Sequence, residues 1–515
     1  MVKRLFVKES SVKDASLILI VTLALSNVLG VFRDHFLAQK IPTDRLDVYF
    51  AAFRLPDLIF NILILGSVAA AFVPVYSSYL REKGDRAAND LARSTITIGL
   101  TAVVACLIVL FFLMPVLMKA LVPSFTPDKM AETVKIGRYL LLSPLFFTVS
   151  YFLGGVLNSH KRFLTYSIAP LVYNLSIILG VLLFADTMGI EGAVIGVVVG
   201  SFLHMLIQIP TALKVGFRLR ISFKFDEGVK RILKLMIPRA IALGTNQILL
   251  VVYTAFASAF AGGIAIYTFA DNIQTVPSVI FGTSFATAVF PTLAGLSLKV
   301  PAEKSQFVAL FTKSLRAALF FLVPSTLVVL LLRAQIIRLI LGYGFFGWAD
   351  TKIASATLGF FALSIIAQGL VPLFARSFYA MHNTRTPMNI SIFSVLLSIG
   401  LGFIFSRISV GIISGVAGLA LAFSIGSWVN LILLAYFLKK QVSTDSVDII
   451  SFILQISLLS IVMIAAMQVA KDFISEMYDI DRVRFLLLQT VVALVIGAGV
   501  YLVGAYLLRI KEVRS

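Results

Sequence analysis

Residues 27–74 read NVLGVFRDHFLAQKIPTDRLDVYFAAFRLPDLIFNILILGSVAAAFVP, two apolar helical runs joined by a short charged turn. Ionisable side chains also stand inside the apolar sequence, where Arg33, Asp34, Asp47, Arg54 and Asp57 lie in or beside membrane-type helix. A charge near the middle of a bilayer costs about 2.5–3.5 kcal/mol on insertion scales, so such groups face a wet cavity or one another. The stretch therefore predicts a helical membrane protein with a transport cavity lined by these side chains.

The rest of the chain is equally apolar. Of its 515 residues, 59% are hydrophobic and 13% charged, with a mean hydropathy of +0.99. Runs of about 20 apolar residues recur, which is the length a helix needs to cross the hydrocarbon layer. Residues 96–117 lack the alternation of a membrane β-barrel strand. The fold class is predicted to be an all-α polytopic membrane protein. Apolar windows place spans near 15–33, 48–79, 91–121, 137–157, 164–185, 190–214, 229–260, 264–297, 307–340, 353–380, 387–407, 411–438, 447–470 and 484–508, about fourteen in all.

A net charge of +19 would point to nucleic acid in a soluble protein. Here Lys and Arg occupy short loops, where they set orientation and meet anionic lipid heads, and no nucleic-acid partner is expected. With the N-terminus inside, the basic clusters at Arg81/Lys83/Arg86, Lys161/Arg162 and Lys214/Arg218/Arg220 are cytoplasmic. The inside then holds roughly twice the Lys and Arg of the outside, so both termini are expected in the cytoplasm. The lead-in MVKRLFVKESSVKDAS has no small-residue cleavage site after a short apolar core, so it reads as a cytoplasmic segment. One cysteine, Cys106, excludes an intramolecular disulfide and a cysteine-based metal cluster. The four histidines, His35, His160, His204 and His382, are far apart, and His204, lone on an apolar helix, reads as structural. With no P-loop, no GxSxG and no histidine-rich metal spacing, neither an enzyme nor a cofactor is expected. Energy would come from an ion gradient (Na+, H+ or Cl−), the membrane potential or the substrate's own gradient.

The longest basic connection, residues 214–234, separates two similar halves. GSVAAAFVP at 66–74 resembles GTSFATAVFP at 282–291, LNSHKRF at 157–163 pairs with MHNTRTP at 381–387, and Arg54-Leu-Pro56 pairs with Thr275-Val-Pro277. The offset is roughly 220 residues each time, the mark of an internal repeat of six spans. An even number of spans keeps both halves in one orientation, with a pseudo-two-fold along the membrane normal and a site at their interface. The expected domains are 1–221, 222–440 and a terminal helix pair, 441–515. Prolines at corresponding places, Pro56 and Pro277 among them, would kink the spans.

Arg33 and Arg54 are the strongest candidates for an anionic group, because guanidinium presents a planar fork suited to phosphate. Asp34, Asp47 and Asp57 would pair with them or hold a coupling cation. Asn27 and Asn61 extend the polar set in the first half. Asp271 is the matching acid of the second half, with Asn272, Gln274, Asn246 and Gln247 around it.

The motifs NVLGVFRD, DVYFAAFRLPD, AFVPVYSSY, VLNSHKRF, YTFADNIQTVP, FPTLAGLS and FYAMHNTRTP resemble the signature stretches of the MurJ/MviN lipid II flippases. That family lies within the multidrug/oligosaccharidyl-lipid/polysaccharide exporter superfamily. The resemblance covers nearly all of the chain. It implies fourteen helices, two six-helix lobes around a central cavity, and a final helix pair forming a groove for a lipid tail. It also implies movement of undecaprenyl-linked peptidoglycan precursor to the outer leaflet by alternating access.

Arg33 matches the family's arginine at the end of the first span, Asp47 its acid at the start of the second, and Arg54 its basic residue before Leu-Pro. Three other cavity arginines of the family are replaced by Asn27, Phe60 and Asn272. Either Arg33 and Arg54, with Arg239 or Arg376 as helpers, suffice for the pyrophosphate, or the substrate is another polyprenyl-linked glycan. A cation-coupled multidrug-type exporter and a membrane scaffold for cell-wall enzymes are the remaining readings. The expected partners are the lipid-linked precursor, membrane lipids and cell-wall synthesis enzymes, with the chain acting as a monomer in the bacterial inner membrane.

Overall fold

The computed structural model describes residues 12–65, 68–296, 300–408, 415–442, 446–479, 482–510 and 512, with side chains at all of these except 12–20, 23–24, 65, 69–70, 237–246, 301 and 446–448. Gly66 and Ser67 of the first repeat motif, the basic residues before position 12, and Lys511 and Arg514 lie outside the described residues. Every regular element among the described residues is a helix. The chain divides into two compact units, Met1–Ala265 and Ile266–Ser515.

The first unit opens with α1 (Val12–Lys40) and α2 (Thr43–Phe60), followed by two π-helical segments, Asn61–Leu65 and Val68–Phe72. Then come α3 (Val73–Leu121), α4 (Pro127–Leu140), α5 (Leu142–Ser159), α6 (Phe163–Met188), α7 (Ile190–Leu206), α8 (Ile209–Lys214) and α9 (Glu227–Ala257). The expected break between the second and third spans falls inside α3 at Gly84, whose φ of 79° only glycine adopts cheaply. The flanking Arg81, Lys83, Asp85 and Arg86 are exposed, which suits a turn outside the membrane. α6 and α7 pack tightly because Gly192, Gly196 and Gly200 recur every fourth residue on α7. A Cβ on Gly180 of α6 would stand 2.6 Å from the Gly196 Cα, so the two backbones touch.

The second unit begins within the first turn of α10 (Gly263–Pro277), which runs into a π-helical segment, Ser278–Thr283, and then α11 (Ser284–Ala294). It continues with α12 (Pro301–Ile340), α13 (Trp348–Ala362), α14 (Ile365–Ala380), α15 (Arg385–Phe405), α16 (Val416–Gln441), α17 (Ser446–Met477) and α18 (Val483–Leu507). The last two pack on each other and on α12. The Tyr501 hydroxyl donates to the Phe320 carbonyl at 2.7 Å. Arg316 donates to Glu512 at 2.6 Å and lies over the Phe452 ring at 4.2 Å.

A π-helical turn follows the proline of the Arg54-Leu-Pro56 motif and of its counterpart Thr275-Val-Pro277. Proline withdraws an N–H from the ladder, and in each unit the chain beyond it takes the wider turn. Eleven helical stretches among the described residues are long and apolar enough to cross a membrane. The sequence-predicted spans not counted there are 15–33, 48–79 and 229–260. α2 carries five charged residues, while α1 and α9 include residues whose side chains lie outside the description. Large apolar side chains such as Phe112, Leu183, Val469 and Leu507 are exposed, as a lipid-facing surface requires.

Candidate functional site

Arg33 lies on the half of α1 that leads toward α2. Its Nε and Nη2 donate to Asp34 Oδ1 at 3.1 and 2.8 Å, and its Nη1 donates to Asn174 Oδ1 on α6 at 3.3 Å. Neighbouring side chains on a helix normally diverge, so this pairing folds the guanidinium back along α1. Asp34 is buried and Arg33 half-buried. Asn174 in turn donates to the Ser26 hydroxyl at 3.3 Å, one step further along α1. Sequence reasoning missed Asn174: an asparagine in an apolar span shows polarity but not which arginine it faces.

Arg54, on α2, donates from Nε to the Thr254 hydroxyl of α9 at 2.9 Å, and that hydroxyl donates to the Leu250 carbonyl. Asp57, one turn on, is exposed and makes no hydrogen bond or ion pair among the described residues. Asn27 and Asn61 are half-buried on α1 and at the first π turn. Arg33 and Arg54 are thus held on consecutive helices of one unit, each by a neutral side chain from a more distant helix.

Asp47 is placed differently. Its carboxylate is fully buried and accepts from the backbone N–H of Gly262 at 2.9 Å and of Ala265 at 3.0 Å, and from Lys129 Nζ at 3.1 Å. These bonds tie α2 to α4 and to the turn after α9. Gln247 is half-buried on α9, and the side chains of Asn246 and Arg239 lie outside the described residues.

In the second unit Gln274 is buried on α10. It donates to Asp271 Oδ1 at 2.8 Å and to the Thr275 hydroxyl at 3.2 Å, and accepts from Ser364 at 3.4 Å. Asp271 and Asn272 are half-buried beside it. Arg376 donates to Thr287. An apolar groove of about 370 Å³ is lined by Pro277, Phe321 and Pro324 on one side and Met463, Leu494 and Leu502 on the other. Where the resemblance leads one to expect a basic residue, Phe60 instead packs on Phe147 and Tyr151, with ring centroids 5.4 and 5.1 Å away.

Two all-helical units with many bilayer-length spans, and arginines held within one of them, define a multi-pass membrane transporter. The structure of an inward-facing multidrug resistance transporter of the MATE family, itself of the MOP superfamily, is similar in fold, with a TM-score of 0.68 at 14% identity over 82% of this chain and 98% of that one. The sequence model of the family "Lipid II flippase MurJ" matches residues 43–491, and the chain belongs to that family. It is 25% identical over 497 residues to a probable lipid II flippase MurJ of Rickettsia prowazekii, spanning 94% of this chain and 96% of the relative. A solved structure of lipid II flippase MurJ in an inward closed conformation superposes with a TM-score of 0.79, at 25% identity over 96% of this chain and 98% of that one.

Proposed function

We propose that the chain moves lipid II, the undecaprenyl-pyrophosphate-linked peptidoglycan precursor, from the cytoplasmic to the periplasmic leaflet of the bacterial inner membrane by alternating access. The observation that carries this reading is the pair Arg33 and Arg54, two guanidinium groups kept half-buried in the spans of a chain of this family. Each charge-assisted hydrogen bond to a pyrophosphate contributes about 1.5–3 kcal/mol. Asn27, Asn61, Asp57 and Gln247 supply further polar contacts in the first unit, with Asp34 fixing Arg33. Asp271, Asn272 and Gln274 are the polar candidates of the second. The groove between α12 and the α17–α18 pair takes the polyprenyl tail, since its lining is almost wholly apolar. The chain acts as a transporter without a catalytic step, with both termini in the cytoplasm, as a monomer alongside cell-wall synthesis enzymes, and is driven by an ion gradient, the membrane potential or the substrate's own gradient.

The test is rescue of bacteria depleted of their own lipid II flippase, together with lipid II binding by the purified protein. Rescue is expected from the parent chain and not from Arg33→Ala or Arg54→Ala. Absence of rescue at normal expression, with no lipid II binding, would overturn the proposal. A second reading, a flippase for another polyprenyl-linked glycan, is favoured by Asn27, Phe60 and Asn272 at positions where the family resemblance leads one to expect arginine. It predicts binding of that lipid in preference to lipid II.

A further inference from the structure

Apart from the arginines, the first unit holds a cavity of about 500 Å³ walled by α1, the second π-helical segment, the start of α3, α5, α6 and α7, and closed by Gln208 between α7 and α8. Its size is within the roughly 300–1,000 Å³ of small-molecule sites. The lining contains no lysine, arginine, aspartate or glutamate. Its polar groups are hydroxyls and amides, among them Thr22, Ser26, Ser150, Asn158 and Ser167, and its rings are Tyr151, Tyr166 and His204. Such a lining gives a pyrophosphate hydrogen-bond donors but no cation to balance its charge. Hydroxyl and amide partners set among aromatic faces suit a neutral, many-hydroxyl group.

One atom in this wall asks for a ligand. Gln208 is 1% exposed, and its Nε2 donates to the Ser150 hydroxyl at 2.5 Å and to the His204 carbonyl at 3.1 Å. Ser150 also meets His204 Nδ1 at 2.7 Å. Those bonds fix the amide, yet among the described residues its Oε1 has no hydrogen-bond partner. A buried acceptor left unpaired is unfavourable, and a ligand hydroxyl or N–H at that point would relieve it. Gly154 faces the same atom: a Cβ there would lie 3.3 Å from Gln208 Oε1 and crowd the approach.

The cavity also leads toward Arg33. Thr22, Ser26, Gly30 and Arg33 follow one another along one side of α1, away from the exposed Val21, Leu25, Val28 and Phe32. At Gly30, between Ser26 and Arg33 on the helix, an added Cβ would meet nothing within 4 Å among the described residues. Asn174 bridges the same interval by bonding both Ser26 and Arg33. At 1.5 Å per residue the two positions are about 10 Å apart along the helix, a distance that sugars attached directly to a phosphate can span.

We propose that this cavity is a subsite for the neutral sugar portion of the lipid-linked substrate, with Gln208 as its principal polar contact and Gly30 as the opening toward Arg33. The proposal rests on the reading of the chain as a carrier of a polyprenyl-pyrophosphate glycan, and it divides the headgroup into an anionic part at the arginines and a sugar part here.

The test compares two probes, lipid II and sugar-free undecaprenyl pyrophosphate, binding to the full-length chain in lipid nanodiscs. Gln208→Leu removes the amide at similar volume, and Gly30→Leu fills the opening. Both are expected to weaken lipid II binding about tenfold while leaving undecaprenyl pyrophosphate unchanged. The sugar-free lipid also reports that each variant is folded, and if one variant loses both ligands the other decides. The subsite is overturned if the parent binds both lipids and the variants bind lipid II equally well, or if both variants lose the two lipids in equal measure. If the parent binds neither lipid, the underlying reading fails, and the subsite with it.

Discussion

Replacing Asp47 by alanine asks how the start of α2 is held. The carboxylate accepts three hydrogen bonds in a fully buried setting: two from backbone N–H groups of Gly262 and Ala265 and one from the Lys129 ammonium. Alanine leaves both N–H groups without this acceptor and Lys129, only 18% exposed, without its ion partner. Removing one member of a buried ion pair costs about 3–5 kcal/mol, largely because the remaining charge is stranded. For a unit of this size that is on the order of 10 °C in melting temperature. The assay is thermal unfolding of the purified protein in detergent for the parent, Asp47→Ala, Lys129→Met and the double variant. Because Lys129→Met removes the stranded ammonium, the double variant should unfold at a higher temperature than Asp47→Ala alone. An Asp47→Ala protein that melts within about 1 °C of the parent, or a double variant whose loss is the sum of the two single losses, would refute the reasoning.

Arg33→Lys keeps the charge but not the fork that reaches both Asp34 and Asn174, and it should retain less than about a tenth of parental lipid II binding in a titration. Gly84→Ala should lower stability by about 1–3 kcal/mol through backbone strain alone, since its Cβ would meet nothing within 4 Å, and thermal unfolding measures this. Gly282→Ala should be far more damaging in the same assay, because its Cβ would come within 2.3 Å of the Gly369 backbone and force α14 away from the π turn. Glu512→Ala should loosen the final helix pair from α12 by about 1–3 kcal/mol, seen as faster proteolysis between α16 and α17.

Much of the architecture could be read from the chain because bilayer length and apolarity leave few alternatives. The apolar run expected at 484–508 is α18, and the two regions expected at 264–297 and 307–340 are α10–α11 and α12. The sequence pairs Pro56 with Pro277, and a π-helical segment lies beyond each of them. What the sequence withheld was pairing. Asp47 lies 82 residues from Lys129 and 215 from Gly262. Nothing local distinguishes a carboxylate that ties a turn from one that waits in a cavity. Arg33 likewise meets Asn174 across 141 residues. His204 read as a lone structural residue because Ser150 comes from another helix, and only folding brings the two together.

The wide turns after Pro56 and Pro277 give each half of the chain a reserve of backbone. A coil that packs an extra residue into a revolution can pass that surplus to the next revolution by exchanging hydrogen bonds one at a time. The segments beyond can then rotate or slide by a single residue without the ladder ever coming apart. At these two points the backbone hydrogen bonding is the least tightly fixed by helix geometry, which is where a helix can be re-aimed with the smallest change in bonding.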